Sequence, residues 1–130
     1  MTRTNSYVLT LLAGLCLATS GCKTVYVGPN WEDQAVYSWG TLKAVESKPI
    51  ANVNSAVLKS MDELGLTVTM KTADSLAAQV IARDSQDQKI AVSMTALADD
   101  STKIAISAGA GGNESKSRLV YKQIQNNLKK

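Results

Sequence analysis

Between Leu66 and Ser107 the chain runs through four short, strand-like stretches, and the breaks between them are too short for anything but hairpins. Leu66, Val68 and Met70 alternate with Thr67, Thr69 and Lys71, which predicts a half-buried strand. Ala73-Asp74-Ser75 turns the chain into Ala77–Arg83, a strand whose buried parity the pattern leaves undecided. Asp84 to Gln88 is a polar turn, after which Ile90, Val92, Met94 and Ala96 alternate cleanly with Ala91, Ser93 and Thr95. Ala98 to Ser101 turns again into Thr102–Ser107, with Ile104 and Ile106 inward. Parallel neighbours need a long crossover, so these strands are expected to pair antiparallel.

Two helices and one more strand surround this block. Val36 to Val45 is rich in β-branched and aromatic residues and reads as a first strand. Gly40 within it suggests close approach by another backbone. Its buried face is undecided, because Tyr37 and Trp39 compete with Leu42 and Ala44. From Ser47 to Leu64 the period changes: Ile50, Val53, Val57, Met61 and Leu64 recur on one helical face, and Pro49 suits the start. Gly65 fits the left-handed position after the helix, and Leu66 is placed to fold back on Met61 in a Schellman end.

Ala108 to Asn113 breaks the strand pattern, Asn113 is a good N-cap, and Glu114 suits a first turn. Val120, Tyr121, Ile124 and Leu128 then give a closing helix its apolar face, with Lys129-Lys130 at its end. The expected order is β-α-β-β-β-β-α. One antiparallel sheet with both helices on one face buries both stripes, which gives a two-layer α+β fold after a cleaved signal peptide.

That leader is the clearest indication of location. Arg3 precedes an almost wholly apolar run from Tyr7 to Leu17, and the small residues Ala18, Thr19, Ser20 and Gly21 follow. A basic start, a short apolar run and small residues make a secretory layout, too short to span a bilayer. Thr19-Ser20-Gly21-Cys22 resembles a lipobox, in which the cysteine thiol takes a palmitate-type acyl chain and becomes the first mature residue. Lys23 after it resembles the pattern for passage to the outer membrane. The alternative is an ordinary secretory signal cut near Ser20, with Cys22 a plain thiol. The expected division is signal peptide 1–21, lipidated N-terminus and tether 22–35, and a single α+β domain 36–130. Fully stretched, the dozen residues from Lys23 to Gln34 reach roughly 40 Å.

Composition narrows the chemistry. Lys and Arg number 14 against 11 Asp and Glu, the charges are scattered, and there is no histidine. Without a basic stripe, nucleic acid is not an expected partner. Cys16 lies in the leader, so Cys22 alone survives processing and no internal disulfide is expected. A Ser-His or Cys-His nucleophile is excluded. The carboxylate sets Glu32-Asp33, Asp62-Glu63, Asp84/Asp87 and Asp99-Asp100 lack calcium-loop spacing, so neither a metal nor another cofactor is expected.

From Tyr37 to Leu128 the order of motifs resembles an uncharacterised family of short bacterial lipoproteins, catalogued as domain of unknown function 3568. The resemblance is carried by Tyr37, Gly40-Thr41-Leu42-Lys43-Ala44, Pro49, Val53, Leu64-Gly65-Leu66-Thr67-Val68, Asp74 and Ile81-Ala82-Arg83. It continues through Thr102, Ile104, Ile106, Gly109, Gly112, Ser117 and Ile124. Ser107 stands where the family tends to have Arg, and Asn113 where it tends to have Asp. The resemblance implies a lipoprotein and a location, and supplies no chemistry.

Two further features stand out. Gly109, Gly111, Gly112 and Asn113 lead into a helix and form a candidate anion-binding loop, although the phosphate-loop patterns are missing. The alternative is a tight turn with glycines supplying positive φ. Tyr26, Trp31, Tyr37 and Trp39 gather near the mature start, as a binding face, a membrane-interface contact or cover for the sheet. The expectation is a non-enzymatic, lipid-anchored envelope lipoprotein, in the outer membrane facing the periplasm, that binds or scaffolds an envelope protein partner through its sheet. The alternatives are a periplasmic enzyme using Ser-Lys or carboxylates, and a carrier of a small apolar ligand.

Overall fold

The computed structural model describes residues 24–26, 34–97 and 100–130. These build one seven-stranded antiparallel sheet, with strands in the order β1-β2-β3-β7-β6-β5-β4, and two helices. The strands are β1 Thr24–Tyr26, β2 Gln34–Ser38, β3 Thr41–Glu46, β4 Thr67–Ala73, β5 Ala77–Arg83, β6 Lys89–Leu97 and β7 Ser101–Ala108. The helices are α1 Ile50–Glu63 and α2 Glu114–Leu128.

The register aligns one apolar face across the sheet. Leu42 pairs with Ile106, Ile106 with Val92, and Val92 with Val80. The neighbouring row is Ala44, Ile104, Met94 and Ala78. All eight are buried, beneath Val53, Val57 and Met61 of α1 and Val120, Tyr121 and Ile124 of α2. Burying one such aliphatic side chain is worth roughly 2 kcal/mol, so this single layer boundary supplies most of the stabilisation. Both helices lie on that face and pack on each other: α1 covers β4, β5 and β6, while α2 covers β7 and β3. The α+β fold expected from the sequence is therefore present.

The end of α1 has the expected Schellman geometry. The Leu66 N–H donates to Met61 O at 2.8 Å, the Gly65 N–H donates to Asp62 O at 3.1 Å, and Gly65 has φ +70°. Pro49 stands just outside the helix as its N-cap residue. In α2 the Asn113 side chain accepts from the Lys116 N–H at 3.0 Å, as an N-cap should.

Three elements differ from the sequence reading. Val36–Val45 is two strands, because Trp39 (φ 51°) and Gly40 (φ 77°) make a two-residue turn between the paired Ser38 and Thr41. Left-handed backbone at both central positions is what a type I′ hairpin loop demands. Within the stretch 22–35 expected to be a tether, Thr24–Tyr26 pairs with Gln34–Val36 and extends the sheet. In β4 the register shifts between Val68 and Met70, so the alternation stops at the edge of the sheet and Met70 is exposed. The undecided parity of β5 resolves with Ala78, Val80 and Ala82 inward.

Candidate functional site

One end of the sheet collects the β2–β3 turn, the glycine loop and the β5–β6 turn. Gly112 (φ +83°) packs against Gly40, and a Cβ on it would lie 2.7 Å from the Tyr37 hydroxyl and 2.8 Å from Gly40 O. A Cβ on Gly40 would in turn meet Gly111 O at 3.3 Å. Gly40 and Gly112 are thus needed for close approach as well as for positive φ. Gly109 (φ +74°) donates its N–H to Lys89 O at 2.8 Å, which ties the loop to β6. Of the expected anion-loop residues, Gly112 is engaged with the neighbouring turn and Asn113 caps α2, while a Cβ on Gly111 would meet nothing.

Asp84 organises the adjoining turn. Its carboxylate accepts from the backbone N–H groups of Gln86 at 2.9 Å and Gln88 at 2.8 Å. The Lys116 ammonium of α2 reaches the same carboxylate and also donates to Gln88 Oε1 at 3.2 Å. The lysine bond, followed by the Gln88 N–H, holds the Asp84 carboxyl below the usual aspartate range. The Asp84 side chain is only 11% exposed, so the pair joins the β5–β6 turn to α2 from a half-enclosed position.

Across the helix pair, Glu63 of α1 accepts from the side-chain amides of Asn127 at 3.0 Å and of Gln123. Those two bonds, the Asn127 bond foremost, lower its carboxyl from the ordinary value. A buried polar cluster lies under α2 toward the opposite end of the sheet. The Tyr121 hydroxyl donates to Glu46 Oε1 at 2.5 Å and accepts from Gln125 Nε2 at 3.1 Å. Thr102, paired with Glu46 in the sheet, donates its hydroxyl to Lys48 O at 2.8 Å. Sequence patterning missed this cluster, since Glu46 is an inward carboxylate whose partner is 75 residues away.

The sheet face opposite the helices carries Val36, Lys43, Ala105, Ser93 and Gln79 in one row, and Thr41, Ser107, Ala91, Ile81 and Met70 in the next. No described helix packs on it. Its centre is small and polar, and Lys43 and Lys103 stand exposed on it.

Among the described residues, grooves run beside the helices. One, of about 430 Å³, is lined by Lys48, Asn52, Lys59, Asn127 and Lys130. Another, of about 310 Å³, has Leu64, Leu66, Ile90, Leu119 and Val120 for walls, with Asp84 and Lys116 at its margin. Among the described residues no group of three or more His, Cys, Asp or Glu side chains is placed to hold a metal ion. Among the same residues no helix is long and apolar enough to cross a membrane. Cys22, Trp31 and the leader lie outside the described residues.

The model of a family described as "Protein of unknown function (DUF3568)" matches residues 6–127. No curated protein matches the chain.

Proposed function

This chain belongs to the family of unknown function DUF3568, and we propose that it is a lipid-anchored envelope lipoprotein acting as a non-enzymatic binding or scaffolding module. Acylation of Cys22 holds it to a membrane, the outer membrane facing the periplasm, and the helix-free sheet face meets an envelope protein partner. The observation that carries the binding role is the one-sided build. Both helices cover a single face, while Lys43, Ala105, Ser93, Ala91 and Ser107 form a broad face under no described helix. The lipobox supports the address, and the family match begins at residue 6, so the apolar run of the leader and Cys22 both lie within the matched span.

A second reading, a carrier of a small apolar ligand, draws on the 310 Å³ groove walled by Leu64, Leu66, Ile90, Leu119 and Val120. The two readings separate in one experiment. A photo-crosslinking residue at Lys103 on the sheet face should trap a partner in intact cells, whereas the same residue at Leu119 should not. Capture at Leu119 alone would favour the groove. Membrane fractionation of Cys22→Ser tests the anchor: the variant should move to the soluble fraction.

A further inference from the structure

Trp39 is the most conspicuous side chain of the molecule. It is fully exposed, at 101% of its reference area, on the tip of the β2–β3 hairpin. It also has φ 51°, a backbone conformation that asparagine or glycine adopts far more readily than a bulky aromatic. Nothing in the fold is gained by this placement, since the indole packs on no core residue. The turn beneath it is nonetheless firmly braced, with Gly40 seated against Gly111 and Gly112. A strained, rigidly presented and wholly solvated tryptophan signals a function outside the fold.

Connectivity says where that tip points. Strand β1 runs antiparallel to β2, with Thr24 opposite Val36 and Tyr26 opposite Gln34, so its first residue lies toward the Trp39 end of the sheet. Cys22 precedes Thr24 by two residues, which is at most about 7 Å of chain. An acyl chain on Cys22 is therefore attached near the same end of the sheet as Trp39, with no long spacer in between.

We propose that the Trp39–Gly40 turn is a second, non-covalent membrane anchor: the indole sits at the boundary of headgroups and acyl chains in the bilayer that holds Cys22, and stands the sheet end-on against the lipid. The proposal rests on the lipid-anchor reading above. A bilayer suits the site better than a protein does. Protein hot spots sit within a ring of packed contacts, whereas Trp39 is flanked by Ser38, Gly40 and Thr41 and stands alone. A single amphipathic indole is the side chain that membrane interfaces favour. Near this end Arg83 pairs with Asp87 at 3.6 Å, Lys116 with Asp84, and Arg118 with Glu114, while Lys43 and Lys89 stand exposed. The indole is the apolar group that drives insertion, and the two lysines add an attraction to anionic headgroups that salt screens.

The test uses acylated protein purified from envelopes and placed in phosphatidylcholine vesicles, with Trp31→Phe leaving Trp39 as the sole indole of the two in the chain. The expected result is a blue-shifted Trp39 emission that brominated acyl chains quench. Trp39→Asn on the parent background, which suits the turn at least as well, should melt no earlier than the parent. Emission characteristic of water, unquenched by bromine while the protein remains on the vesicles, overturns the proposal.

Mass spectrometry of the amino end separates this outcome from failure of the lipid anchor. If Cys22 carries no acyl chain, the anchor reading falls, and the protein is then mixed with excess vesicles. A blue shift under those conditions keeps the tip as a membrane contact, and its absence ends the idea.

Discussion

Gly112 and Gly40 touch backbone to backbone, so that a methyl group on Gly112 would press on Gly40 O at 2.8 Å and on the Tyr37 hydroxyl at 2.7 Å. This contact fastens the strand-to-helix loop to the β2–β3 turn, two segments far apart in sequence. Gly112→Ala must move backbone and also hold alanine at φ +83°. The positive φ alone costs roughly 1–2 kcal/mol, and the clash adds to it. Gly111→Ala is the matched control, because a Cβ there meets nothing within 4 Å. Urea midpoints should fall clearly for Gly112→Ala and stay within about 0.5 kcal/mol of the parent for Gly111→Ala. Equal midpoints would show that the loop yields.

The Tyr121 hydroxyl joins α2 to the last residue of β3 through Glu46 at 2.5 Å, inside the layer boundary. Tyr121→Phe keeps the ring and removes the donor, leaving the carboxylate and the Gln125 amide each short of a bond. A buried polar group stripped of a partner costs roughly 1–3 kcal/mol. Chemical denaturation should show that loss with the slope unchanged. Tyr121→Phe at parental stability would mean that water replaces the hydroxyl.

These contacts mark how far sequence patterning reaches in this fold. The α1 end was readable because Met61, Gly65 and Leu66 form a local signal, three residues within a stretch of six. Strands β6 and β7 were readable because Ile90, Val92, Ile104 and Ile106 alternate with small or polar residues. The hairpin inside Val36–Val45 was hidden because tryptophan occupies a turn position where asparagine or aspartate is the usual sign. Strand β5 was ambiguous because Ala78, Val80 and Ala82 alternate with the apolar Ile81 as well as with Gln79, so that only its neighbours fix the parity. Met70 was misplaced because the irregularity that follows Val68 shows only in the pairing. The Glu46–Tyr121 bond spans most of the domain, and no local pattern announces a contact of that range.

Asp84 should make stability depend on pH in acid. Its folded-state carboxyl is held below the ordinary aspartate value by the Lys116 bond and then by the Gln88 N–H. The unfolded chain therefore takes up the proton first. The contribution is complete at neutral pH and begins to fade as pH falls through the ordinary value of about 4. It is lost once the folded carboxyl protonates in turn. Asp84→Asn should lower the urea midpoint at pH 7 and flatten its fall between neutral and acid. Glu63, lowered mainly by Asn127 and then Gln123, acts with the same sign, so Glu63→Gln should flatten part of what remains. A variant profile parallel to the parent would show that the Asp84 carboxylate is not linked to folding.

Trp39 presents the reverse case, a residue whose removal should stabilise. At φ 51° a tryptophan carries left-handed strain that asparagine largely avoids in a type I′ turn. Because the indole is fully solvated, its loss forfeits no core packing. Trp39→Asn should therefore raise stability by roughly 1 kcal/mol, most of the cost of holding a bulky residue in left-handed backbone. Thermal unfolding without lipid measures this directly, and Trp39→Ala separates strain from surface chemistry, since alanine drops the indole but keeps most of the backbone cost. Asparagine more stable than alanine, with alanine close to the parent, is the pattern expected of a turn that carries its tryptophan for a purpose outside the fold. A parent more stable than both would mean that the indole already packs usefully on the domain.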